Sequence, residues 1–321
     1  MTSAVQTRIS SELAPAVLAD VAEDLKAARS ENTRRAYRQG FRIWSEWAEA
    51  AGVDPIPATP ESVAGFLSNQ ARAGRKPATL NQRLCAISSA HKLAGVPDPT
   101  QSELVRETLK GIRRKYGVKQ DRKKALDNMD LIKVLAHIDR DTLKGKRDAA
   151  LLLVGFSAAL RRSELAALDV ADVQPDSSEE GRGLVLTLNR SKTDQEGQGT
   201  EKVIPFGRGD SCPVTAFNQW VEAAGIESGP AFRSVTKGGK LGKSITGAAI
   251  AQLIKRLTKQ AKLEGNYSGH SLRVGFVTSA AAAKKPTAKI MEQTGHKTQA
   301  MISLYTRSND AWEDNAAEGL L

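Results

Sequence analysis

From residue 30 to residue 116 the apolar side chains return every three or four positions, a spacing that only a helix turns into a continuous face. Tyr37, Phe41, Trp44 and Ala48 stand at i, i+4, i+7 and i+11, and Trp44 and Trp47 read as core residues. Thr59-Pro60-Glu61 has the form of an N-cap, a first-turn proline and an acidic first turn, after which Val63, Phe66 and Leu67 face inward. Leu80, Leu84, Ile87 and His91 make a third stripe, with His91 a satisfied packing histidine, and Val105, Leu109, Ile112 and Tyr116 make a fourth. The pattern predicts an all-helical N-terminal domain over 30–116, preceded by an extension over 1–29 that holds one short apolar segment.

The periodicity stops at 117–125, a polar stretch that reads as an interdomain linker. The remainder, 126–321, is mixed. Helical patterns cover 128–138 and 145–168, with 151–160 an apolar run. Leu184–Leu188 and Lys202–Phe206 read as two short strands joined by the polar, glycine-bearing turn 189–199. Helices follow at 212–224, 246–263 and 270–283, then a short one after Pro286 that Gly295 caps. Residues 311–321, with Trp312, Ala316, Leu320 and Leu321, predict a last short helix. The fold class expected is mainly α, with a small β-sheet confined to the C-terminal domain.

A chain of 321 residues accommodates two domains. No uninterrupted apolar run approaches the ~18 residues of a membrane span, and no basic-then-apolar leader opens the sequence, so a protein of the cytoplasm or nucleoid is expected. The two cysteines, Cys85 and Cys212, fall in different domains and are expected to be reduced. Forty-seven Lys and Arg against 36 Asp and Glu leave a net charge of +11, which draws polyanions. Nine of these cations, Arg106, Lys110, Arg113, Arg114, Lys115, Lys119, Arg122, Lys123 and Lys124, crowd one stretch opposed only by Glu107 and Asp121. They are expected to lie along DNA phosphates.

Strand transfer between DNA molecules makes definite chemical demands. Charge gathers on the non-bridging oxygens in the transition state, so fixed cationic donors must meet them there, and the planar fork of arginine suits this best. Rejoining without an energy source needs a covalent intermediate on a side chain such as a tyrosine. The departing hydroxyl needs a proton donor. The second half supplies such groups in order: Arg161 in Leu160-Arg161-Arg162-Ser163-Glu164-Leu165, Lys192 on the turn between the strands, His270 and Arg273 at i and i+3, His296 after Gly295, and Tyr305 nine residues on. Each piece alone is bland: Arg161 with Glu164 resembles a surface ion pair, and Tyr305 a core aromatic. Two histidines 26 residues apart with no third ligand do not make a metal site.

Together, Leu-Arg-Arg-Ser-Glu-Leu, His-Ser-Leu-Arg and Gly-His followed by Tyr resemble the signature of the tyrosine site-specific recombinase (phage integrase) family over residues 30–310, and the segment from Ala78 to Pro97 and the overall size are most like its Cre-type members. The resemblance implies a helical core-binding domain and an α+β catalytic domain (126–321) that clamp double-stranded DNA. It implies Arg161, Lys192, His270, Arg273, His296 and Tyr305 as catalytic residues, with Glu164 bracing the site; no cofactor and no metal are implied. Arg162 competes with Arg161, and Lys202 and Arg190 with Lys192; the Arg-x-Ser-Glu-Leu register favours Arg161, and the position on the turn favours Lys192. It further implies inverted-repeat sites, a homotetramer in the synaptic complex, a monomer in solution and no membrane. Two other readings share the residues: a topoisomerase or hairpin-forming resolvase with the same tyrosine chemistry, and a DNA-binding protein that has lost catalysis.

Overall fold

The computed structural model describes residues 30–118, 123–189, 199–300 and 302. The chain divides into two compact units, Met1–Asp121 and Arg122–Leu321. The first unit is helical throughout its described length: α1 (Glu31–Ala50), α2 (Pro60–Arg72), α3 (Pro77–Ala94) and α4 (Glu103–Tyr116). Local chemistry starts these helices where the sequence says. The Ser30 side chain accepts from the Thr33 N–H at the start of α1, and the Thr59 hydroxyl accepts from Ser62 N–H ahead of Pro60.

The core of this unit forms around Trp44, which is fully buried, with Phe66 edge-on at 5.2 Å and Trp47 stacked at 5.6 Å between ring centroids. The indole N–H of Trp44 donates to Pro55 O at 3.0 Å, so its burial leaves no polar group unpaired. His91 is fully buried; its Nδ1 bonds Ile87 O and its Nε2 accepts from Ala58 N–H, both at 2.9 Å. It is the packing histidine that its stripe suggests. Tyr116 departs from its stripe: Val105, Leu109 and Ile112 are buried, whereas Tyr116, the last residue of α4, is 46% exposed. The face of α4 that buries these three residues leaves no apolar partner beyond the helix end.

The second unit contains α5 (Asn128–Leu135), α6 (Leu143–Ser157), α7 (Arg162–Ala167), β1 (Val173–Pro175), β2 (Gly183–Leu188), β3 (Thr200–Pro205), α8 (Pro213–Ala224), β4 (Arg233–Val235), β5 (Leu241–Ser244), α9 (Gly247–Gln260), α10 (Ser271–Ala282) and α11 (Thr287–Thr294). Helix α6 is the centre: Ala149 to Gly155 are all buried, and α8 and α10 pack on it. The sheet has the order β1-β2-β3, antiparallel, with Leu184 opposite Ile204 and Leu186 opposite Lys202. Strand β1 and the β4–β5 hairpin have no counterpart in the sequence reading, because strands of three or four residues are too short to show a period.

Two expectations are corrected. The helix expected over 145–168 is two helices broken at 158–161, where Ala159 takes a left-handed φ of 50°. Apolar residues continue through the break, since both sides of it are buried, and so the period does not reveal it. The linker expected over 117–125 is also shorter among the described residues. The Lys124 backbone N–H donates to Asn266 O, its ammonium to Glu264 O, and Lys123 bonds the Asn266 side chain, so both lysines pack on the second unit. Among the described residues no helix is long and apolar enough to cross a membrane.

Candidate active site

Four separated segments of the second unit bring charged side chains together. The first is the break after α6. Arg161 is the N-cap of α7: its backbone N–H donates to Glu164 Oε2 at 2.8 Å and its Nη1 to Glu164 Oε1 at 2.6 Å. The Glu164 side chain is 4% exposed and that of Arg161 19%, so a buried carboxylate holds a guanidinium that still reaches the surface. Arg162 points elsewhere, its methylene stem lying against Gly247 and Gly269.

The second segment is the start of α10. A Cβ at Gly275 would collide with the Leu126 carbonyl oxygen, so only glycine lets residues 126–128 run against this helix. There Leu126 N–H bonds Ser271 O, and Asn128 N–H bonds the Ser279 hydroxyl. His270 is the N-cap residue of α10 and is exposed. Arg273, one turn in, is 2% exposed; its Nη1 donates to Ala159 O at 2.8 Å and its Nη2 to Thr294 O. The left-handed turn at Ala159 thus presents a carbonyl that the sequence pattern places inside a helix.

The third segment is the end of α11. Gly295 closes it in the left-handed conformation, φ 66°, and turns the chain so that His296 is buried. The Thr294 hydroxyl donates to Ile290 O at 2.6 Å, which leaves its oxygen to accept from His296 Nδ1 at 2.9 Å. Burial first, then the positive charges of Arg273, Arg161, His270 and Lys202, push the His296 pKa down to about 4. The ring is therefore neutral at pH 7. Between about 4 and about 6.5 the unfolded chain carries a proton here that the folded chain lacks. Stability should fall as pH drops through that window and return above it. Urea melts of the unmodified chain and His296→Gln check this: the substitution should flatten the pH dependence across the window, and equal slopes would contradict it.

The fourth segment is β3. Lys202 is 4% exposed, and its ammonium donates to Gln293 O. Burial, then Arg273, lower its pKa; Glu164 opposes and Arg161 adds to the shift, leaving it at about 8. The sequence reading treats Lys202 only as a neighbour of Lys192. The signal that reveals it is the strand alternation, in which Lys202 and Ile204 point inward while Val203 is 61% exposed.

Lys192 and Tyr305 lie outside the described residues. So do Lys119 and Arg122. Arg106, Lys110, Arg113, Arg114 and Lys115 are all exposed on α4. Arg113 and Tyr116 line a cleft of about 490 Å³ together with Arg75, Lys76 and Asn81, of which the two cations do not stand out from sequence because they lie apart from the basic run. Cys212 is buried and caps α8, its Sγ accepting from Gly207 and Thr215 N–H; Cys85 is exposed on the first unit.

Comparison with known proteins places these segments in context. Residues 124–311 match the model of the phage integrase family, and residues 22–94 that of the phage integrase N-terminal SAM-like domain. An integrase/recombinase xerD homolog of Selenomonas ruminantium is 33% identical over 299 residues, covering 91% of this chain and 86% of its own. The recombinase cre of Escherichia phage P1 is 26% identical, covering 89% of this chain and 87% of its own. Among solved structures, the Tn1549 transposon integrase in complex with transposon right end DNA superposes with a TM-score of 0.63 at 16% identity, covering 88% of this chain and 92% of that one. A lambda integrase dimer bound to a COC' core site gives 0.59 at 15% identity, covering 95% of this chain and 85% of that one.

Proposed function

The chain belongs to the phage integrase family and is a tyrosine recombinase, an enzyme that cleaves and rejoins DNA, and from that premise we propose that Tyr305 is its nucleophile and Arg161, Lys192, His270, Arg273 and His296 its supporting catalytic residues. The observation that carries this reading is the convergence of Arg161, His270, Arg273 and His296 from separate segments, near enough that the first three all oppose protonation of the fourth. Ile302 supports it from the other side: it is buried with Val277 and Ile290, so the chain is anchored three residues before Tyr305, and three residues span at most about 11 Å.

In this mechanism the Tyr305 oxygen attacks the scissile phosphorus and forms a 3′-phosphotyrosyl bond while the bond to the 5′-oxygen breaks. Arg161, Arg273 and His296 meet the non-bridging oxygens, where negative charge grows. His270 takes the phenolic proton, and Lys192 protonates the departing 5′-oxygen. Attack by a 5′-hydroxyl of a second strand reverses each step and rejoins the DNA. The guanidinium groups supply positive charge at the phosphate, so the scheme includes no metal and no cofactor. Glu164 keeps Arg161 in place through two hydrogen bonds.

The reading extends to inverted-repeat target sites, a homotetramer in the synaptic complex, a monomer free in solution, and a place on DNA in the cytoplasm or nucleoid. The domains of this reading are an extension over 1–29, a core-binding domain over 30–116, a linker and a catalytic domain ending in a short helix. Arg106, Lys110, Arg113, Arg114, Lys115, Lys119, Arg122, Lys123 and Lys124 face phosphates in it. Lys123 and Lys124 then share their donors between DNA and residues 264–266. Replacing Arg113, Arg114 and Lys115 together with Gln should weaken binding alike on all duplexes and flatten the slope of log K against log salt by about 0.9 for each phosphate no longer neutralised. Anisotropy titrations over a salt series measure it, and an unchanged slope would remove these residues from the interface.

The test of the reaction is covalent trapping. Duplexes carrying the inverted repeats that flank the gene are nicked near the cleavage point so that the freed fragment escapes, and the chain is added with chelator. A protein–DNA band on a denaturing gel is expected. Tight salt-sensitive binding with no band on any repeat would favour a DNA-binding protein without catalysis.

A further inference from the structure

Strand β3 breaks the usual rule for a half-buried strand. Its inward positions are Lys202 and Ile204, while Val203 stands 61% exposed between them. The register is pinned by Leu184 opposite Ile204 and by Leu186, fully buried, opposite Lys202. Sliding β3 by one residue would bury Val203 and release the lysine, yet the sheet keeps a cation inside. That placement opposes its electrostatics: burial, Arg273 and Arg161 all disfavour the charged form, and Glu164 alone offsets them.

What the lysine touches accounts for it. The last carbonyls of a helix have no partner within the helix and carry its negative dipole end. At the end of α11 two successive carbonyls receive cations, Gln293 O from Lys202 and Thr294 O from Arg273. The side chain of Gln293 completes the join: its amide donates to Val203 O at 3.0 Å and to Ser157 O at 2.8 Å. Three elements therefore meet at one point, namely β3, the end of α6 and the end of α11. The first is one arm of the hairpin whose turn holds Lys192 in the sequence, the second leads through Ala159 to Arg161, and the third leads to His296.

We propose that Lys202 is a positioning residue, whose buried ammonium together with Gln293 latches strand β3 to the last turn of α11 and so holds the hairpin and His296 in register with the two arginines. The proposal rests on the recombinase reading of the site. It gives Lys202 no proton transfer of its own, that step belonging to Lys192.

The test uses the full chain with Lys202→Met, which keeps length and burial, Lys202→Arg, which keeps the cation, and Gln293→Ala, which breaks the latch without touching a charge. Hydrogen exchange needs no DNA: the amides of Gly295 and His296 should exchange at least about tenfold faster in Lys202→Met and Gln293→Ala, and Lys202→Arg should restore protection. On the nicked duplex that traps the unmodified chain, both disrupting variants should form covalent complex about 100-fold more slowly, the scale expected for catalytic groups misplaced by an ångström, with duplex affinity unchanged. A duplex with sulfur at the bridging 5′ position has a leaving group that needs no proton. It should rescue Lys192→Met and leave Lys202→Met slow.

Rescue of Lys202→Met by the sulfur substrate would make it a proton donor and overturn the proposal. So would unchanged exchange at Gly295 and His296. If the unmodified chain traps no duplex, the proposed reaction fails, and the exchange data still decide the latch. If Lys202→Met does not fold, Gln293→Ala carries the test.

Discussion

Tyr305→Phe is expected to bind the trapping duplex with the affinity of the unmodified chain and to yield no covalent complex, a loss of at least about 10⁴-fold in strand cleavage. The change removes one oxygen, the atom that becomes bonded to phosphorus, and leaves the aromatic ring to pack as before. Water in place of the phenolate would hydrolyse the strand without conserving the bond energy, so rejoining would vanish with it. Binding survives because phosphate contacts spread over many cations supply most of the affinity. A residual covalent band in the variant would remove Tyr305 from the nucleophile's role and direct attention to another side chain of the second unit.

The second large effect is expected at Arg273. Five N–H donors let one guanidinium cap carbonyl oxygens and face an anion at the same time. Here Ala159 O and Thr294 O occupy two of its donors, which fixes the plane of the group from the break after α6 and from the end of α11. Lysine keeps the charge but has no planar fork. Arg273→Lys should therefore lower covalent-complex formation by about 10²- to 10³-fold, the cost of removing one preorganised donor at a developing charge. Arg273→Ala should in addition unfold more readily in urea, by about 2–5 kcal/mol, because two buried carbonyls lose their partner and the group is 2% exposed. An Arg273→Lys variant within tenfold of the unmodified rate would show that the fork is not used on the phosphate.

Much of this architecture was legible because its causes are local. The helices of the first unit follow from stripes such as Leu80, Leu84 and Ile87 and from caps such as Thr59-Pro60, which act within one or two turns. The β2–β3 pair was legible as two apolar runs around a polar turn, and Gly295 as the end of α11. Where several residues act from a distance the reading failed. Tyr116 continues a stripe yet is exposed, since a period does not say where the partner helix ends. The break at 158–161 was invisible because burial on both sides preserved the apolar pattern.

The site divides in the same way. Sequence alone determined which chemical groups the chain owns and their order, from Arg161 to Tyr305, because motif spacing is a property of the chain. It also determined that Arg161 and Glu164 pair, a contact three residues long. Only the tertiary structure decided that Arg273 holds the carbonyl of Ala159, 114 positions earlier, that His296 is neutral beside four cationic neighbours, and that Lys202 lies inside. Those outcomes depend on desolvation and on charges contributed by distant segments, and neither exists until the segments pack.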